Sequence, residues 1–137
     1  MTGQFEHAGY EVHYASIKER DWEKAFTEPC DRIVIAGGDG TISRLAPWLA
    51  GKETPFCILP LDTANNCARS LGQMNTVESI ISGLKSESIK KLDLGVVTSS
   101  DGHRMFIESI GIGLLADSMS EIHALEKKQK SKIRLAP

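Results

Sequence analysis

The chain has 137 residues, 25% of them charged and 41% hydrophobic, with a formal net charge of −2. This is the composition of one ordinary globular domain, and it excludes a collagen-like, coiled-coil or wholly disordered protein. Nothing global draws the chain onto nucleic acid, no apolar run reaches the roughly 18 residues that span a bilayer, and Met1–His7 lacks the basic-then-apolar order of a signal peptide, so the cytoplasm is the expected compartment.

In chain order, Tyr10–Ala15 alternates apolar Val12 and Tyr14 with polar neighbours and predicts a short strand. Ser16 followed by Glu19 has capping-box spacing, which predicts a helix to about Thr27 that buries Ile17, Trp22 and Phe26 and stops before Pro29. Arg32–Ala36 is a β-branched run closed by glycines, the pattern of a strand buried on both faces. A helical pattern at Ile42, Leu45, Trp48 and Leu49 follows, shortened or kinked by Pro47. Phe56–Leu59 reads as a second buried strand, Thr63–Leu71 as a helix with Gly72 as its C-cap, and Val77–Leu84 as a further helix. Strand, loop and helix in this repeating order predict βαβ units: an α/β fold whose parallel sheet carries helices on both faces.

The pattern changes near residue 89. Leu92–Thr98 and Arg104–Ile110 read as strands joined through an Asp101-Gly102 turn, an antiparallel element following the α/β part. Glu121–Arg134 reads as an exposed helix with a basic end, including Lys127, Lys128, Lys130, Lys132 and Arg134, and its basic side chains suit either solvent or an anionic lipid surface. Cys30, Cys57 and Cys67 are odd in number and form no Cys-x-x-Cys, which argues against a disulfide framework or zinc ribbon; they read as small buried apolar side chains. The histidines have no ligand spacing, and no His-based metal site is expected.

Two loops carry chemistry. Gly37-Gly38-Asp39-Gly40-Thr41 lies between a buried strand and a helix, where glycines let a ligand approach the backbone and the helix directs free N–H groups at an anion. Asp39 would repel a phosphate on its own, and suits the place if it holds Mg²⁺. The alternative is a tight turn in which Asp39 or Thr41 caps the helix. No Gly-Lys-Ser/Thr follows, so this is not a Walker loop, and Ser43 replaces the last glycine of a dinucleotide fingerprint. The second loop, Leu59–Arg69, repeats the geometry: Thr63 fits an N-cap, and Asn65 and Asn66 place side-chain amides in the first turn. Its alternative is an unusually polar helix start. Together, two such loops on neighbouring strands form the walls of a nucleotide cleft.

The pair Ala36-Gly-Gly-Asp-Gly-Thr41 and Leu59-Pro-Leu-Asp-Thr-Ala-Asn-Asn-Cys-Ala-Arg-Ser-Leu-Gly72 closely resembles the diacylglycerol kinase catalytic domain family, which includes bacterial lipid kinases and the sphingosine and ceramide kinases. The resemblance is strong over about residues 30–72, and weaker at Asp93-Leu-Gly95 and Phe106–Gly113. It implies a three-layer parallel-sheet α/β nucleotide-binding domain at 1–88, of the NAD kinase/diacylglycerol kinase type, followed by the start of an antiparallel β-rich domain at 89–137. It also implies ATP as phosphoryl donor, Mg²⁺, and a lipid hydroxyl as acceptor, on a protein of the cytoplasm that meets its substrate at the membrane surface. Gly37, Gly38, Asp39, Gly40 and Thr41 would bind the ATP phosphates, with Asp39 as the catalytic and metal residue. Asp62, Thr63, Ala64, Asn65 and Asn66 would close the other side. The acceptor's base would be an acidic residue late in the second domain.

The chain departs from the family pattern in three places. No Asn-Pro-x-x-Gly loop precedes Tyr10, Ser43-Arg44 stand where the family has Asn-Glu, and Asp62 takes a place usually held by glycine. Asp62 would then need a cation or an arginine, with Arg44 and Arg69 as candidates, and would be costly if its φ were positive. The expectation is a piece of a longer lipid kinase, inactive when isolated. The alternatives are an NAD kinase-like or phosphofructokinase-like enzyme, which shares the first loop but not the Thr-Ala-Asn-Asn turn, and a non-catalytic nucleotide-binding module.

Overall fold

A computed structural model describes residues 1–85 and 89–107. The elements are α1 (Thr2–His7), a 3₁₀ turn (Trp22–Phe26), β1 (Ile33–Gly37), α2 (Asp39–Leu49), β2 (Phe56–Pro60), α3 (Asn66–Ser70), α4 (Val77–Gly83), β3 (Gly95–Ser99) and β4 (Gly102–Phe106). β1 and β2 pair in parallel, from Ile33 opposite Phe56 to Gly37 opposite Pro60, with α2 as the crossover. This is the predicted βαβ unit. β3 and β4 form a separate antiparallel pair, from Gly95 opposite Phe106 to Ser99 opposite Gly102.

Side chains alternate across the parallel pair and feed two apolar clusters. Ile35 and Ile58 join Trp22, Ile42, Leu45, Leu49, Cys67 and Ala68, with Ile33 and Phe56 packed against them. Val34, Cys57 and Leu59 turn the other way, toward Phe5, Ile80, Val77 and Ile81. One face therefore carries α2 and α3, and the other α1 and α4. Ile35, Ile42 and Ile58 are the largest fully buried side chains, each contributing about 1.5–3 kcal/mol through burial. α2 buries Ile42, Leu45, Ala46 and Leu49, the one-faced spacing of an amphipathic helix. Pro47 is tolerated because it falls in the last turn, where only the amide bond back toward Ser43 is lost.

Several sequence expectations are corrected. Tyr10–Ala15 forms no strand, since no neighbour supplies the ladder; Tyr10 and Val12 pack instead on the Phe5 cluster. The predicted Ser16–Thr27 α-helix is a turn and a short 3₁₀ segment, because Asp21 has φ 61° and a left-handed residue cannot continue a right-handed helix. Its apolar positions are nonetheless used: Trp22 is buried, and Ile17 and Phe26 pack against the same cluster. β1 is not buried throughout, Ala36 being exposed. The hairpin turns at Ser100-Asp101, with Gly102 already in β4. Of the cysteines, Cys67 is buried, Cys57 half-buried and Cys30 exposed. α1 lay unpredicted in the sequence. The basic segment 121–134, and the family-like positions after Ile107, lie outside the described residues.

Two side chains close the outer edge of β2. The Gln73 Oε1 accepts the Ile58 amide at 2.7 Å, and the Asn75 Nδ2 donates to the Ile58 carbonyl at 3.0 Å. Pro60 has no amide to offer. A flat strand edge is thereby masked without another strand.

Candidate functional site

The two chemistry-bearing loops meet at the carboxyl ends of β1 and β2. Gly38 is the N-cap of α2, in extended conformation, and its carbonyl accepts the amides of Thr41 and Ile42 at 3.0 and 3.1 Å. The amides of Asp39 and Gly40 precede the first bond of the helix and have no acceptor within it; among the described residues no other backbone carbonyl takes them. They are donors available to an anion.

Asp39, the first residue of α2, does not turn toward those amides. Its Oδ2 accepts the Asn66 amide at 3.0 Å and its Oδ1 the Cys67 amide at 2.9 Å. One carboxylate on α2 thus satisfies the first two free donors of α3 and holds the loops together. Each oxygen keeps a second lone pair. The carboxylate's predicted place in a nucleotide site is joined to a role the sequence did not show, because it depends on a register between residues 27 and 28 apart.

The second loop is a self-contained polar turn. Asn65 is buried and left-handed, with φ 47°, which asparagine tolerates better than most residues. Its Oδ1 accepts the Asp62 amide at 3.3 Å, and its Nδ2 donates to the Asp62 carbonyl. The N-cap of α3 is therefore Asn65 and not Thr63 as predicted, and the helix begins at Asn66. At the other end Gly72 sits one residue past the C-cap with φ +66°. Its amide bonds the Arg69 carbonyl at 3.0 Å and the Gln73 amide the Ala68 carbonyl at 2.7 Å, a Schellman ending for which glycine is the favoured residue.

Asp62 is not left-handed, so the cost conditional on a positive φ there does not arise; the left-handed residue of this turn is Asn65. No ion pair among the described residues joins Asp62 to Arg44 or Arg69. Arg44 lies over the Trp22 ring at 5.3 Å, a cation–π contact. Thr63, Ala64, Asn66 and Gly40 are exposed around the junction, and Thr41 packs beneath Gly37, where an added Cβ would lie 2.5 Å from its Oγ1. Thus the loop of Gly37, Gly38, Asp39, Gly40 and Thr41 meets the loop of Asp62, Thr63, Ala64, Asn65 and Asn66. Sequence reasoning missed Gln73 and Asn75. Their only signal is two amide side chains directly after a helix-ending glycine.

The described residues contain no group of three or more His, Cys, Asp or Glu side chains able to cage a metal ion. What is present is one carboxylate at each loop beside open amides. That set suits Mg²⁺, which holds one or two carboxylates, keeps its waters and takes phosphate oxygens. No helix among the described residues is long and apolar enough to cross a membrane.

The model of the diacylglycerol kinase catalytic domain matches residues 1–97. A diacylglycerol kinase of Bacillus subtilis is 30% identical over 126 residues, covering 83% of this chain and 39% of its own length. A probable YegS-like lipid kinase of Pseudomonas fluorescens is 33% identical over 95 residues, 68% of this chain and 30% of its own. A diacylglycerol kinase of Staphylococcus haemolyticus is 29% identical over 99 residues, 67% of this chain and 30% of its own. This chain therefore spans well under half the length of these relatives. No solved structure matches it. The matched span takes in both loops and the strands that carry them, and on that match the chain belongs to the diacylglycerol kinase catalytic domain family.

Proposed function

We propose that this chain is the nucleotide-binding part of an ATP-dependent lipid kinase. In this reading residues 1–88 form a three-layer α/β domain that grips ATP, and 89–137 begin a second, β-rich domain. The acceptor is a lipid hydroxyl, of a diacylglycerol or sphingoid kind, met at a membrane surface. The observation that carries the reading is the junction itself: Asp39 ties the glycine loop to the first amides of α3, leaving the α2 amides of Asp39 and Gly40 open beside it. Open amides at a helix start bind phosphate oxygens. Relatives named for lipid phosphorylation support the choice of acceptor.

Asp39, with Asp62 on the facing loop, would hold Mg²⁺, whose contribution is to neutralise the phosphate oxygens. The residues of the chain position the rest. Gly37 and Gly38 let the backbone close on the phosphates, Thr41 buttresses the loop from below, and the Asp62–Asn65 turn fixes the opposite wall. Catalysis on this scaffold is positioning and charge stabilisation rather than covalent chemistry. The acceptor's base is assigned to the second domain, so the isolated chain is expected to bind nucleotide without phosphorylating lipid.

The test is radiolabelled ATP with mixed vesicles of diacylglycerol and anionic phospholipid at millimolar Mg²⁺. The full-length parent should label the lipid and the 137-residue chain should not. No transfer by the parent to any lipid alcohol would refute the reading, and transfer to NAD instead would replace it with the NAD kinase-like alternative.

A further inference from the structure

The Asp62 side chain lies against Gly38, in the space a Cβ there would take. A Cβ built on Gly38 would lie 2.5 Å from the Asp62 Cβ and 2.6 Å from its Oδ2. Gly38 is buried, although its neighbour Gly40 is exposed. The cover is a carboxylate from the facing loop. Of its oxygens, Oδ1 accepts the Thr63 amide at 2.8 Å, and Oδ2 is the one directed at Gly38. The ion pairs among the described residues are His13 with Glu11 and with Glu28, and Lys24 with Asp21, so none neutralises Asp62. The turn itself does not require an acid: the left-handed position is Asn65, and Asp62 enters the Asn65 bonds only through its backbone.

A bare polyphosphate reaching the amides of Asp39 and Gly40 meets this exposed carboxylate, which lies against Gly38 between them and the facing loop. Like charges a few ångström apart at a protein surface repel more strongly than in bulk water. A divalent cation between them converts the repulsion to attraction, since Mg²⁺ takes carboxylate and phosphate oxygens together. We propose, resting on the nucleotide-binding reading, that Asp62 is a specificity-determining residue of the phosphate loop, which bars uncomplexed polyphosphate from Gly37–Thr41 and admits it as a divalent-metal complex.

The experiment is calorimetric titration of ATP into the wild-type chain, Asp62→Asn and Asp62→Gly, each in excess Mg²⁺ and again in EDTA, with circular dichroism confirming that all three are folded. Asparagine keeps the volume over Gly38 and removes the charge; glycine removes both. In EDTA both variants are expected to bind ATP about tenfold more tightly than wild type, an effect of one nearby charge in a partly screened site. In Mg²⁺ the gain should shrink to within about threefold, or reverse. Equal gains in the two conditions, or a gain confined to Asp62→Gly, would overturn the proposal, the second by making bulk and not charge the bar. If wild type binds Mg·ATP but neither substitution alters binding of ATP in EDTA, the inference fails and the nucleotide reading stands. If no chain binds ATP in either condition, both fall together.

Discussion

The Asp39 carboxylate accepts the amides of exposed Asn66 and buried Cys67, and its removal takes this acceptor from both. Uncompensated buried donors cost about 1–3 kcal/mol each. Asp39→Ala is therefore expected to lower unfolding stability by about 2 kcal/mol in a urea titration. Asp39→Asn, which keeps one acceptor, should lose about half of that. Unchanged midpoints for both would show that the carboxylate does not hold the loops. Gly38 gives a second check at this scale. An alanine Cβ collides with Asp62, so Gly38→Ala should destabilise, and Gly38→Ala combined with Asp62→Gly should recover most of the loss. A double variant no more stable than the single one would contradict the contact. The glycine loop with Asp39, and Thr63, Asn65 and Asn66 in the second loop, could be singled out as candidates from residue type and position. The sequence could not show which amides Asp39 would take, nor that Asp62 would lie on Gly38. Both depend on how two distant loops meet.

At the scale of elements, α4 opens with a reciprocal capping box: the Thr76 hydroxyl accepts the Ser79 amide and the Ser79 hydroxyl accepts the Thr76 amide. In the first turn of the same helix, Glu78 is held below the ordinary carboxylate range, first by its own backbone amide and then by the Thr76 side chain, with a smaller contribution from Gln4 of α1. A carboxylate whose pKa is lowered by folding stabilises the fold above its unfolded pKa, and this is lost as pH falls through the folded value. Acid titration of stability should therefore show a limb below the usual glutamate range that flattens in Glu78→Gln. A limb of identical slope in the variant would remove that assignment. The predicted helix at Thr63 started late because a left-handed Asn65 and its side-chain bonds competed successfully for the first turn. The predicted helix at Ser16 failed similarly at Asp21. Periodicity located the buried faces in both stretches, but it carries no information on single residues of positive φ.

Across the whole molecule, the parallel pair serves as a partition between two apolar clusters, and Cys57 sits on the α1/α4 side of it. Burial pushes the Cys57 thiol above its ordinary pKa, with Arg32 opposing. The sign is opposite to that of Glu78. Because folding raises this pKa, the contribution is complete below the unfolded thiol pKa and is lost as pH rises through the folded one. Stability should fall on the alkaline side, and Cys57→Ala should lessen that fall; an unchanged alkaline limb would contradict it. The order of strands, crossover helix and hairpin was readable because apolar runs and turn residues are local signals. How α1 joins the far face was not, since Phe5 is a single apolar anchor on a six-residue helix.

In the proposed function, the glycine loop and the Asp62–Asn66 turn grip phosphate as one unit because Asp39 joins them. The most direct measurement of this is calorimetric binding of Mg·ATP to the wild-type chain and to Asp39→Asn, both verified as folded. Measurable binding by the wild type is expected, with a loss of at least about tenfold in the variant, the effect of one misplaced wall in a positioned site. Equal affinity in the two folded proteins would contradict it.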